Sequence, residues 1–185
     1  MTQPPSTLGQ VRRVVTTHND AGKSAVASDE NVPLQGFPGL DQGAAMLWAA
    51  YAPPSNAGDA KPAEITFPAP GETAFFLIQH PPAADLENLP PDLHAIATSS
   101  PADHVPGLVK GDTSRHFAMH HSDTVDYGFV ISGQITMILD EGEVTLHAGD
   151  TYVLRGGAHA WSNNGDVPAM VASIVVGAEP LDSRA

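Results

Sequence analysis

The feature that most limits how this chain folds is the spacing of short β-prone runs in its second half. Residues 115–119, 127–131, 134–139, 143–147, 151–154, 160–162 and 170–176 are rich in branched and aromatic side chains. Most of their connectors are turn formers: Ser132-Gly133, Asp140-Glu141-Gly142, Ala148-Gly149-Asp150, Gly156-Gly157 and Asn163-Asn164-Gly165-Asp166. Connections this short leave no room for the crossover that parallel pairing needs. The strands are therefore expected to pair antiparallel and close into a sandwich or small barrel. Runs 127–131 and 170–176 are largely apolar on both faces. One face is expected to line the barrel, the other to pack on the N-terminal strands or on a second subunit.

The first half is less regular. Residues 11–17 are β-branched and end in the polar cluster His18-Asn19-Asp20-Ala21-Gly22, which reads as strand then turn. Residues 23–28 read as a second short strand and 29–43 as a loop. Residues 45–51 suit either a strand or one helical turn. Residues 53–70 carry five prolines around a β-prone fragment at 65–67, and 73–79 predict a buried strand. Residues 80–106 are Pro- and Ala-rich and acidic, a surface excursion with a helical turn at 85–89. Residues 1–105 are thus read as an N-terminal extension of short strands and Pro-rich loops. They are expected to pack on a barrel core at 106–180, within one structural domain.

Composition narrows the class of partner. A 185-residue chain with 42% hydrophobic residues can bury one core, and 17 Gly with 17 Pro argue against a helical bundle. A net charge of −13 repels phosphate backbones and anionic lipid, so neither nucleic acid nor a membrane surface is an expected partner. Without cysteine, disulfides and thiolate metal sites are excluded. The N-terminus has no basic and apolar leader pattern, and no apolar run approaches a membrane span. A small-molecule ligand and a cytoplasmic location are expected.

Two polar clusters carry the chemistry. The first, His116 to Gly133, holds His116, His120, His121, Asp123 and Asp126. The second, Gly149 to Asn163, holds Asp150, Arg155, His159 and Trp161. Asp126 is followed after six residues by Gly133; the second cluster opens Gly149-Asp150 and closes His159, three residues, Asn163. This pair of motifs resembles those of the cupin superfamily. The string Met119-His120, Ser122-Asp123-Thr124-Val125-Asp126-Tyr127-Gly128 with His159-Ala160-Trp161 is similar to a small one-domain group of it. That group includes polyketide-pathway proteins such as the tetracenomycin synthesis cupin. The resemblance implies an all-β fold, a cupin-like double-stranded β-helix (jelly-roll barrel) with an N-terminal strand extension. It also implies a pocket in the barrel mouth and a role in secondary metabolism. Arg155-Gly156-Gly157 stands where that superfamily commonly has Pro-x-Gly, and Met119 and His121 occupy the slots of its His-x-His pair.

Strand alternation constrains the site further. Adjacent His120 and His121 cannot both face inward from a regular strand, and His116 lies roughly 13 Å from His120 along an extended chain. The economical metal site is one of His120 or His121 with Asp126 and His159. Such a set suits Fe and tolerates Mn, Zn or Ni, while a Met119 thioether would favour Cu. Without a metal, Asp126 and His159 form an acid–base pair. Met119, Trp161 and Arg155 are candidate pocket residues, Trp161 as an aromatic wall. Two functions remain open. One is a metal-dependent enzyme (oxygenase, cyclase, isomerase or dehydratase) acting on an apolar or aromatic metabolite. The other is a non-catalytic small-molecule-binding barrel. Apolar outer faces and open strand edges predict a homodimer.

Overall fold

The computed structural model describes residues 9–36, 41–52, 54–55 and 65–180. The N-terminal strands are β1 (Gln10–His18), β2 (Ser24–Pro33), β3 (Gln35–Gly36), β4 (Gly43–Ala50) and β5 (Thr73–His80). Helices α1 (Ala83–Glu87) and α2 (Pro91–Ala97) follow, then β6 (Val109–Lys110), β7 (His120–His121) and β8 (Thr124–Ser132). The last strands are β9 (Gln134–Leu139), β10 (Glu143–His147), β11 (Thr151–Leu154), β12 (His159–Ser162) and β13 (Ala169–Gly177). All pairings are antiparallel. A six-stranded sheet runs β11-β8-β13-β5-β4-β3 and a five-stranded sheet β10-β9-β12-β7-β6. The fold is all-β, the double-stranded β-helix the sequence predicts.

Local chemistry sets the turns. Gly133, Gly142, Gly149 and Gly156 all adopt positive φ, a backbone region that side chains penalise, so the hairpins fall where the glycines do. Gly133 is doubly constrained, because a Cβ there would meet the Pro168 carbonyl at 2.8 Å. The strands β3, β4 and β5 hydrogen-bond into the six-stranded sheet through the β5–β13 ladder, with Phe76 opposite Ser173.

The outer side of β4 and β5 carries a cluster of Leu34, Ala45, Leu47 and Leu77. Val11 and Val32 of the β1–β2 hairpin close over it, and Arg13 donates to the Leu47 carbonyl and pairs with Glu30. These ties hold the hairpin against the sheet. The same outer face is left open farther along. Val153, Tyr127, Ile174 and Phe75 form one lateral row on β11, β8, β13 and β5, and all four are exposed, Tyr127 at 51%.

The structure corrects several local expectations. Residues 29–33 belong to β2 rather than to a loop, because cross-strand pairs Arg12–Asp29 and Arg13–Glu30 let charged residues stand on an exposed hairpin. Residues 37–40 of that expected loop lie outside the described residues. Residues 45–50 resolve as strand, within β4, and Tyr51 lies past its end. The fragment 65–67 is not a strand, although the Phe67 amide bonds the Pro106 carbonyl. Residues 115–119 form a turn, closed by the Met119 amide on the His116 carbonyl, and pairing begins only at His120. The 80–106 excursion contains a second helix, α2, started by Pro91 in the first-turn position that tolerates a missing N–H. Among the described residues, no helix is long and apolar enough to cross a membrane.

Candidate functional site

A cavity of about 400 Å³ opens between the two sheets. The six-stranded sheet contributes Phe76, Asp126, Tyr152 and Ser173; the five-stranded sheet contributes His120, His159 and Trp161. The segment after β5 closes over it through Leu86, Ala97 and Val105, so the apparent surface excursion is part of the cavity wall.

His120 and His159 are direct cross-strand partners, which sets their rings 4.4 Å apart between centroids. Each makes the same local bond, from Nδ1 to the carbonyl two residues earlier: Ala118 at 2.8 Å and Gly157 at 3.0 Å. A carbonyl can only accept, so both Nδ1 atoms carry the proton and both Nε2 atoms keep a lone pair. Burial holds the rings neutral. The His159 imidazolium is disfavoured by burial and then by its neighbour His120, which brings its pKa down to about 3. His120 is lowered as well, chiefly by burial, with its bond to Ala118 opposing.

Asp126 faces the cavity because it shares the inward parity of Thr124, Gly128 and Val130 along β8. It is 6% exposed, and burial raises its carboxyl to about 6 although a hydrogen bond from Thr124 pulls the other way. Thr124 Oγ1 donates to Oδ1 at 2.6 Å. Its single proton is thereby committed, so Ser122 Oγ must be the donor in the 2.7 Å bond to Thr124. The result is a directed chain of three buried groups, Ser122 to Thr124 to Asp126.

Among the cavity residues that sequence reasoning missed are Tyr152, Ser173 and His80. Tyr152 lies over Gly128, with its ring 5.0 Å from Trp161, and burial pushes its phenol up to about 12. Ser173 lines the wall beside it. The His80 ring sits 6.4 Å from Trp161, and its pKa is lowered to about 4 by burial and then by His120. Gly128 was the available signal for Tyr152: a strand glycine marks a close approach by something else.

The expected site residues divide. His120, Asp126, His159 and Trp161 line one cavity, and Trp161 also packs on the Val130, Ile135, Ala169 and Val171 cluster. His121 is half-buried and outside the lining, as strand alternation demands, although its charge acts on both cavity histidines. Met119 does not line the pocket; it is fully buried with Ala118 and Ala160. Arg155 is exposed beyond β11 and is likewise outside the lining. Asn163 is structural: its amide donates to the carbonyls of His80 and Val167 and accepts from the Gly165 amide.

The expected metal centre needs three protein donors. Two neutral imidazoles with Nδ1 anchored on carbonyls suit a divalent ion. Asp126, however, stands on the opposite sheet with one oxygen held by Thr124. Among the described residues, no group of three or more His, Asp or Glu is arranged to hold a metal ion. The residues present do not fit a centre with three protein ligands, and no step below passes through one.

An antiparallel barrel thus holds a buried histidine pair and a carboxylate in one cavity between its two sheets. Residues 108–176 match the Cupin_2 family model, described as a cupin domain. Over 100 residues it is 32% identical to the "Cupin-domain-containing oxidoreductase virC" of Hypocrea virens, covering 51% of this chain and 48% of that protein. Over 46 residues it is 46% identical to "Phomopsin biosynthesis cluster protein C'" of Diaporthe leptostromiformis, 24% of each chain. The matches thus span about half or less of the length of these relatives. Among solved structures, the Schizosaccharomyces pombe Cnp3 cupin domain superimposes with a TM-score of 0.45 at 10% identity, covering 91% of this chain and 88% of that one.

Proposed function

We propose that this chain is a small-molecule enzyme of secondary metabolism that moves a proton on an apolar, aromatic-sized metabolite bound between the sheets. The observation that carries this reading is Asp126, a buried carboxyl with a pKa of about 6 in the same cavity as two neutral imidazoles. A base poised near neutrality is matched to proton abstraction at physiological pH. His120 and His159 can accept a hydrogen bond through Nε2 from a hydroxyl on the ligand, and for a ligand without one they act as walls of the site. Asp126 takes the proton, and the Ser122–Thr124 chain stabilises the carboxylate before transfer. Proton removal is a step that isomerisation, cyclisation and oxidation share; the relatives named as oxidoreductases favour the last.

The test uses 2-tetralone, an apolar ketone with acidic C–H bonds, in deuterium oxide. The chain is expected to accelerate hydrogen exchange over buffer, with a rate that rises through about pH 6. Asp126→Asn is expected to abolish the acceleration while the ketone still binds. Bound ketone with no acceleration by the wild-type chain would sink the proposal.

A second copy of the chain is the partner we assign to the open outer face. The row Val153, Tyr127, Ile174 and Phe75, with Phe129 beside it, carries no charge. Elsewhere a net charge of −13 makes two copies repel, so an uncharged apolar face is where they can meet.

A further inference from the structure

Across the inner face of the six-stranded sheet, one lateral row runs Tyr152, Gly128, Ser173 and Phe76. Gly128 is the gap in that row. A Cβ there would lie 1.9 Å from Tyr152 Cζ and 2.4 Å from its phenol oxygen, so the ring rests on bare backbone. That placement lays the hydroxyl toward Ser173, the next residue across. Ser173 is 4% exposed, and its hydroxyl has no hydrogen-bond partner among the described residues. The two hydroxyls influence each other without closing a bond of normal geometry. Leaving a buried hydroxyl unsatisfied costs roughly 1–3 kcal/mol, so such a pair is expected where a bound group completes it.

The rest of the cavity says which group. No Lys or Arg lines it; the groups able to carry negative charge are Glu87 and Asp126, with Tyr152 protonated at neutral pH. An anionic ligand would meet no Lys or Arg and a buried carboxylate. Tyr152 and Trp161 at 5.0 Å, with Trp161 edge-on to His159 at 5.8 Å, form walls for a flat ring system.

The geometry points to a neutral oxygen subsite: Tyr152 donates a hydrogen bond to a carbonyl or phenolic oxygen of an uncharged planar aromatic ligand, and Ser173 donates to the phenol from behind. Ser173 is a positioning residue, since it acts through Tyr152. This deepens the reading above and rests on it for the cavity, but not for the proton-transfer chemistry.

Equilibrium dialysis of the full chain at neutral pH with 2-naphthol, naphthalene and 2-naphthoate tests it. One added hydrogen bond predicts that 2-naphthol binds about fivefold to tenfold more tightly than naphthalene. 2-Naphthoate is expected to bind at least about tenfold more weakly than 2-naphthol, for want of a counter-charge. Tyr152→Phe should cut the naphthol advantage severalfold while weakening naphthalene little, and Ser173→Ala should remove part of it. A Tyr152→Phe loss that is equal for naphthol and naphthalene would overturn the subsite, as would naphthoate binding as tightly as naphthol. In either case the Asp126-dependent exchange of 2-tetralone can still stand. Lost exchange with intact naphthol discrimination would overturn only the proton-transfer reading. Failure of every probe to bind would overturn both.

Discussion

Replacing Gly128 with Ala tests the packing that builds the sheet wall of the cavity. Gly128 is not among the positive-φ glycines, so the backbone itself accepts Ala. In a strand that exchange is worth about 0.5–1 kcal/mol in favour of Ala. The new methyl, however, would lie 1.9 Å from Cζ and 2.1 Å from Cε1 of Tyr152, and the ring must leave its position or the strands must part. Overpacking of this kind costs roughly 1–3 kcal/mol, and losing the Tyr152–Trp161 contact adds about 0.5–1.5 kcal/mol. The expected net loss is about 2 kcal/mol, which for a domain of this size lowers Tm by about 4–8 °C. In a Tyr152→Ala background the obstruction is gone, so Gly128→Ala should be neutral or slightly stabilising. The four-protein cycle then yields a coupling of about 2 kcal/mol. Thermal unfolding followed by near-UV circular dichroism measures all four. An equal Tm drop in both backgrounds would show that the clash is not with Tyr152, and the account of the wall would be wrong.

Three further outcomes follow from the same geometry. Because burial raises the Asp126 carboxyl to about 6, the folded chain holds this proton more tightly than the unfolded one. Its stabilising contribution is complete below about pH 4 and is lost as pH rises through about 6. Asp126→Asn should therefore stabilise the fold at pH 8, on the order of 2–3 kcal/mol, and little at pH 4; similar effects at both pH values would refute this. Dialysis against EDTA should alter neither Tm nor 2-tetralone exchange. A fall in both that Fe, Mn, Zn, Ni or Cu reverses would restore the divalent ion expected from the motifs. Paired substitution of Tyr127 and Phe129 by Glu should convert a dimer to a monomer in light scattering with near-UV signal retained. A monomeric wild-type chain would refute the assigned interface.

Much of the stretch 120–177 was legible because its signals are local. Runs 134–139, 143–147 and 151–154 coincide with β9, β10 and β11, since alternation and glycine turns within a few positions decide where such strands start and stop. Asp126 and His159, singled out by motif spacing, and Trp161, on the strand face of His159, line the cavity, and of the two adjacent histidines His120 alone does. The sequence alone determined an antiparallel barrel, an inward carboxylate and an inward imidazole. Tertiary pairing decided the rest. Tyr152 reaches the cavity only because the β8–β11 register sets it opposite a residue with no side chain, and Ser173 only because β13 lies on β8's other flank. His120 meets His159 through a pairing between strands far apart in the chain, and 80–106 becomes a wall only once a cavity exists to cover. Met119 and Arg155 stand at motif positions yet turn away, because parity and turn direction are fixed by neighbours that no short window of sequence contains.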